Sequence, residues 1–416
     1  MRCEALAAAL AFAAAAVPAA AQQPPAPNPS DLVTLEQVLE IVAASPRIAA
    51  AARDADAARA DRIAAGAYPN PSLTFGASRP SGGERTIFDA DRQSVALLEL
   101  PLPVFGQMGA RGRAAELQVG LADTQLRLAA GETRRQAALG FARLLAAQEQ
   151  LAVRRSGLAE VERIRGLVSG RLASGMASRY DLARADAEAA LAALALQRAE
   201  AAVSEQSAAI AALVDARAWR PRAAGSLEAL ASAPAPAGEG EEALERGPAL
   251  RAARDEAAAA EGRVEVAQRE LLPIPSVQLG RTWTSGPFGA ANYVGIVSEI
   301  PISSDRRSLA DKAKAQAQGA RARAPATGAA LRADYRRQLE ALQLRREALA
   351  RFDREVFSQQ GAFLEMAESA YRLGRGSLFE LLDARRTLLE AATARLELMG
   401  GIAESQIELR ALVGAL

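Results

Sequence analysis

Gly374-Arg375-Gly376-Ser377-Leu378-Phe379-Glu380-Leu381 repeats in outline Gly175-Met176-Ala177-Ser178-Arg179-Tyr180-Asp181-Leu182, which lies about 200 residues earlier. Both are Gly-x-x-Ser-x-x-acid-Leu turns. Glycine supplies the backbone freedom of a tight turn, and Ser178 or Ser377 can cap the helix that returns from it. Two further landmarks keep the same order and nearly the same offset. Pro69-Asn70-Pro71-Ser72 answers Pro273-Ile274-Pro275-Ser276, and Glu99-Leu100-Pro101-Leu102 answers Glu299-Ile300-Pro301-Ile302. One such match is within chance; three in register describe a tandem duplication.

Working outward from the turns, each copy reads as helix, strand pair and long helical hairpin. Helices are expected over 34–44 and 46–66, strands over about 71–81 and 91–103, and no proline interrupts Val104 to Arg220. That stretch predicts two long helices meeting at Ser169–Ser178, and at 1.5 Å per residue a helix of about 60 residues reaches roughly 90 Å. The pattern restarts with a helix over 249–271, strands over 275–285 and 292–302, and helices over 306–372 and 377–413. Pro325 is expected to kink or interrupt the first of these last two helices. Within that helix Tyr335, Leu342, Leu349, Val356, Phe363 and Ala370 recur every seventh residue, the mark of a left-handed coiled-coil seam. The resulting division is a signal peptide at 1–21, a flexible leader at 22–33, repeat 1 at 34–215, an irregular connector at 216–248 and repeat 2 at 249–416.

Composition narrows the function. Half of the residues are apolar but only 4% are aromatic, which suits long close-packed helices rather than a thick globular core. A net charge of +1 with no dense basic run gives no support to a nucleic-acid role, and no nucleic-acid partner is expected. Met1-Arg2, the Ala/Leu-rich run from Ala5 to Val17 and Ala19-Ala20-Ala21 read as an export signal cleaved after Ala21. Cys3, the only cysteine, would leave with it, and the chain has no histidine. Disulfides, His- or Cys-based catalysis and the usual zinc or copper ligand sets are therefore not expected. Nor is there a P-loop or a convincing catalytic constellation, so the chain is read as non-enzymatic and without a cofactor. Carboxylate-based hydrolysis remains as a weak alternative.

Beyond the signal no run of 18 apolar residues is available for a membrane helix. The four strands, at about 10 to 13 residues, are long enough to cross a bilayer as tilted barrel strands. Their alternation is moderate: Val294, Ile296 and Ile300 share one face, and Tyr293, Gly295, Val297 and Glu299 the other. Trp283 and Tyr293 lie near loop ends, where membrane-interface aromatics belong. Four strands cannot close a barrel, so a membrane role demands oligomeric closure. A soluble hairpin packed on the helices fits the strands equally well.

Export signal, tandem repeat, element order and the two Gly-x-x-Ser-x-x-acid-Leu turns together resemble the TolC-type outer membrane efflux proteins, over essentially all of Leu32 to Leu416. The run Leu100-Pro101-Leu102-Pro103-Val104-Phe105-Gly106, followed by Arg111 and Arg113, looks like the branch that serves heavy-metal pumps of the resistance-nodulation-division class. The resemblance implies a mainly α fold with a small β part. Three chains would share a 12-strand outer-membrane β-barrel joined to a long periplasmic α-helical barrel. It implies a homotrimer contacting outer-membrane lipid and working with a periplasmic adaptor (membrane fusion) protein and an inner-membrane pump. Lipidation is not expected, because Cys3 lacks a lipobox.

Residue roles follow from the same resemblance. Glu380 and Asp383, three apart on one helix face, fall on the acidic positions that ring the tunnel entrance, and Asp181 on the matching position of the first repeat. Tyr371 falls on a gate-contact position. Arg171, Leu172, Gly175 and Ser178, with Arg372, Leu373, Gly374 and Ser377, form the turns that would dock the adaptor. Helix capping and dipole complementation account for the same serines and acids without any pore. Because Arg184 stands where Asp383 would align, the second hairpin is expected to carry most of the gating. The reading is an outer-membrane exit duct for heavy-metal cations; the alternatives are a duct for drugs or organic solutes, and an exported helical-hairpin structural or adaptor protein of the periplasm.

Overall fold

The protein is described from a computed structural model over residues 31–79, 92–234, 240–285, 289–299 and 305–416. The signal peptide, most of the leader and the Ile300-Pro301-Ile302 landmark lie outside these residues. The first copy contains β1 (Leu32–Val33), α1 (Leu35–Val42), α2 (Pro46–Gly66), β2 (Ser72–Ser78), β3 (Gln93–Pro101), α3 (Gln107–Ala173) and α4 (Arg179–Ala212). A connecting region holds β4 (Arg222–Ala223), α5 (Leu227–Ser232) and α6 (Gly240–Arg246). Then follow α7 (Pro248–Arg269), β5 (Pro275–Thr284), β6 (Ala290–Ser298), α8 (Asp305–Glu355), α9 (Gln360–Arg372) and α10 (Leu378–Leu412). Mainly α architecture with a small sheet is thus observed.

Local chemistry explains the boundaries. Thr34 and Gln37 form a reciprocal capping box at the start of α1, and Ser45 caps α2 with Pro46 at its first position, where the missing N–H costs nothing. The α3 helix, 67 residues of mostly Ala, Leu, Arg, Glu and Gln, spans about 100 Å.

Three expectations are corrected. Pro325 does not interrupt its helix: α8 continues through it to Glu355, so packing against α7 overrides the lost hydrogen bond. The break comes instead at a 3₁₀ turn over Phe357–Gln359. This tighter turn changes the phase of the seven-residue seam. Tyr335 and Leu342 are buried and Leu349 is half-buried, but Val356 and Phe363 are exposed. The buried positions resume one residue later, with Leu364 half-buried and Tyr371 buried. Finally, the leader and connector are not wholly irregular. β1 pairs in parallel with β4, Ala224 N–H donates to the Val33 carbonyl at 2.8 Å, and the Gln148 amide bonds both the N–H and the carbonyl of Ala223.

This belt is where the largest core lies. Phe141, Leu144 and Leu145 of α3 pack with Ile210, Trp219, Leu227, Leu342, Met399 and Ile402. Elsewhere the helices meet through alanine, as in Ala257, Ala260, Ala317 and Ala320 between α7 and α8. Such contacts bury little area each, so the rods depend on length and close approach. β2, β3, β5 and β6 form one antiparallel sheet in that order, joining the strand pairs of both copies through β3 and β5.

Candidate functional site

Both helical hairpins reverse by the same two devices. In the first, Gly175 takes φ +74°, its N–H donates to the Leu172 carbonyl (3.0 Å) and that of Met176 to the Arg171 carbonyl (2.8 Å). In the second, Gly374 takes φ +72°, with Gly374 N–H on the Tyr371 carbonyl (3.1 Å) and Arg375 N–H on that of Ala370 (2.9 Å). These are Schellman motifs, and each is followed by a capping box. The Ser178 hydroxyl accepts from Asp181 N–H at 3.1 Å while the Asp181 carboxylate accepts from Ser178 N–H at 2.9 Å. Ser377 and Glu380 do the same at 3.2 and 3.0 Å.

The two ends pack together. Ile164, Val168 and Ala185 of the first hairpin enclose Tyr371, Leu378, Leu381 and Leu382 of the second. Arg171 crosses between them: Nη1 donates to the Tyr371 carbonyl at 2.6 Å, Nη2 lies 3.4 Å from the Met176 carbonyl, and the guanidinium stands 4.8 Å from the Tyr371 ring centre. Burial pushes the Tyr371 phenol up, the Arg171 charge opposes this, and the Asp181 carboxylate adds to it. Hence Arg171 and Asp181 of the first turn share one site with Tyr371, which is 200 residues beyond Arg171. The Arg372 carbonyl lies 3.5 Å from Arg171 Nη1, while its side chain pairs with Glu368 at 2.5 Å. Leu172 is half-buried, and Leu373 is 70% exposed.

The three acids are not equivalent. Hydrogen bonds from Ser178 hold the Asp181 carboxyl below the usual carboxylate range. Glu380 is exposed, with one oxygen engaged in its capping box. Asp383 lies on the same helix face but is paired with Arg386 at 3.0 Å, which offsets its charge.

Several contacts at this end give no sequence signal. Arg163 makes a bidentate pair with Glu368 at 2.7 Å, holding that carboxyl low, and Arg184 lies 5.1 Å from the Phe379 ring centre. Arg385 is buried between α3 and α10 and donates to the Gly157 carbonyl. Their partners lie up to 228 residues away, beyond the reach of any local pattern. Exposed Met176, Tyr180 and Phe379 surround the turns. Sequence spacing carries no hint that they are exposed, since such residues are commonly core.

At the opposite end the sheet sorts its faces by register. Leu73, Leu98, Leu279 and Val294 stand in one line across the four strands, beside a second line of Leu100, Val277 and Ile296. Ile296 is 77% exposed and Leu73 74%. Ser72, Glu99, Gln278 and Gly295 form a line on the other face, where Gln278 donates to Glu99 at 3.1 Å. Trp283 lies on the apolar face, with Arg281 near its ring. Tyr293 does not join it. Its neighbour Val294 faces the apolar side, so alternation sends Tyr293 to the Gln278 side, where it lies against Gly295. Trp283 and Tyr293 thus stand on opposite faces of the sheet. Among the described residues both outer strands, β2 and β6, have one unpaired edge. No helix among the described residues is long and apolar enough to cross a membrane.

The family profile described as outer membrane efflux protein matches residues 39–215 and 240–415. The chain is 27% identical over 370 residues to the cobalt-zinc-cadmium resistance protein CzcC of Cupriavidus metallidurans, covering 88% of this chain and 87% of that one. Among solved structures it is similar to CusC (TM-score 0.78, 18% identity, 91% of each chain). It is also similar to the outer membrane protein VceC of Vibrio cholerae (TM-score 0.74, 19% identity, 91% of this chain and 96% of that one).

Proposed function

Because the chain belongs to the outer membrane efflux protein family, we propose that it is the exit duct of a three-part efflux system carrying heavy-metal cations. Outer-membrane efflux channels of this family are trimers with a periplasmic helical part. The observation that carries the reading here is the sheet, with an exposed apolar face and two open edges. Hydrocarbon does not tolerate unpaired backbone, so these edges require neighbouring copies of the same sheet. Trp283 marks one border of the apolar band. The long α3–α4 and α8–α10 hairpins then line a passage whose far end is the pair of turns at Gly175 and Gly374. There the adaptor docks on the exposed Leu373 and Met176, and the energy comes from an inner-membrane resistance-nodulation-division pump.

The metal assignment draws on the similarity to CzcC. In the duct a metal ion is cargo. Glu380 and Asp383 of three protomers surround the entrance, with the field resting mainly on Glu380 because Arg386 offsets Asp383. Asp181 contributes chiefly to its own turn.

Tolerance to cobalt, zinc and cadmium should rise when the chain is expressed with its genomic neighbours for adaptor and pump in a sensitive strain. Unchanged metal tolerance with increased tolerance to organic drugs would overturn the metal assignment. In planar bilayers Glu380→Gln should reduce cation selectivity more than Asp383→Asn does.

A further inference from the structure

We propose that the outer end of the sheet binds the phosphate groups of an outer-leaflet lipid through Arg79, Arg92 and Arg281. This rests on reading the sheet as part of an outer-membrane barrel with the helices on its periplasmic side. β2 follows α2 and β5 follows α7, so both strands start at the periplasmic border and end, at Ser78 and Thr284, at the outer one. Register orders the lipid-facing side between those borders. Beyond the two apolar lines already described comes a line holding Phe75 and Arg281, and then one holding Ser94 and Trp283. One step past the last pair of β2 and β3, Ser78 with Gln93, the same register sets Arg79 opposite Arg92. Arg92 still belongs to the ladder, since its carbonyl accepts from Ser285 N–H at 2.9 Å. Alternation keeps Arg79 in phase with Phe75 and Arg92 in phase with Ser94, so all three arginines share the lipid-facing side.

Charge and position both call for an anion there. Among the described residues of the four strands the one acid is Glu99, and it lies on the opposite face. Residues directly opposite in an antiparallel pair have Cβ atoms roughly 5 Å apart, so Arg79 and Arg92 repel each other until a negative group sits between them. Arg281 stands deeper on a face that meets hydrocarbon, where a bare charge is costly. Its guanidinium carbon lies 5.8 Å from the Trp283 ring centre, one line nearer the outer border, so the side chain carries its charge toward the headgroups. All three arginines are exposed, and a planar guanidinium matches phosphate oxygens two at a time. The other border differs. There Arg111 pairs with Glu270 and Arg306 with Glu299, both at 3.0 Å, so carboxylates of the chain already answer those cations. This asymmetry assigns the anionic partner to the outer leaflet.

The test titrates the purified trimer, held in phosphatidylcholine nanodiscs, with diphosphoryl lipid A and counts bound lipid by native mass spectrometry. Each of Arg79→Gln, Arg92→Gln and Arg281→Gln should weaken binding by about fivefold, and the triple variant by about a hundredfold. Arg179→Gln, an exposed arginine at the far helical end, should bind as wild type does. Lipid A stripped of its phosphates should bind wild type no better than the diphosphoryl form binds the triple variant. Undiminished binding by the triple variant, or equal binding of the phosphate-free lipid, would overturn the proposal. So would loss of lipid binding in millimolar inorganic phosphate, which would mark a site for the free ion. Should the triple variant fail to assemble, Arg79→Gln with Arg92→Gln decides, because both positions lie past the last paired residues of β2 and β3. A wild-type chain that does not enter nanodiscs removes the barrel reading and the lipid site with it, whereas a trimer that inserts and ignores the phosphates removes the lipid site alone.

Discussion

Two glycines of one hairpin should respond to alanine with opposite sign. At Gly175 an added Cβ meets nothing within 4 Å, so sterics with neighbours do not enter. The remaining cost is conformational: at φ +74° an L-residue is in the left-handed region, which disfavours it by about 1–2 kcal/mol. Gly166, within α3, is equally open, yet its backbone is helical. There alanine should gain about 0.5–1 kcal/mol, because the unfolded chain has less freedom to lose. Amide exchange at the turn reads both. The N–H groups of residues 175 and 176 close the Schellman motif at 3.0 and 2.8 Å. Gly175→Ala should speed their exchange by about 5- to 30-fold. Gly166→Ala should leave them at the wild-type rate or slower, while Gly175→Asn should lose less than alanine because asparagine tolerates this conformation. Equal shifts in the same direction for the two alanine variants would refute the argument, since it would mean that the turn is not held by its left-handed residue.

Leu381, fully buried among Ile164, Val168 and Tyr371, should cost about 2–5 kcal/mol on truncation to alanine, seen as a lower denaturant midpoint. The pH dependence of the first turn follows from Asp181. Its carboxyl is depressed in the folded state, so its contribution is full above the unfolded value and is lost as pH falls through the folded one. Exchange at residues 178–182 should therefore stay slow down to about pH 4 and rise only below it, and Asp181→Asn should flatten that dependence. On the sheet, Leu279→Arg should lower stability in lipid by about 2–4 kcal/mol, whereas Gln278→Arg, on the other face, should be near neutral in a refolding titration.

What could be read without coordinates was whatever is chemically local. Gly175 with Ser178 and Asp181, and Gly374 with Ser377 and Glu380, act within a few residues of one another, so their spacing carries the turn. Period-two alternation likewise separates Val294 from Tyr293, as the strand register has it. The contacts of Arg171, Arg163, Arg184 and Arg385 were opaque for the opposite reason. Each acts on a partner in the other copy, and an arginine on an Ala-rich helix looks the same whether it is solvated or bridging. Pro325 shows a third case, a strong local signal outvoted by the packing of α8 against α7. The seam failed more gently, since a single 3₁₀ turn moved its phase by one residue and left the seven-residue spacing on either side.

The β3–β5 pairing has a consequence for how the chain reaches this state. Glu99 and Gln278 meet across 179 residues, and Arg92 and Ser285 across 193. Every helical hairpin, by contrast, closes through a turn of a few residues. Loop-closure entropy grows with the intervening length, and contacts of high sequence separation form late. The rods are thus in place before the strands find one another, and the part destined for lipid is the last to assemble. Until then, β2 and β6 carry apolar side chains on bare edges through water, which makes this interval the one in which the chain is most exposed to aggregation.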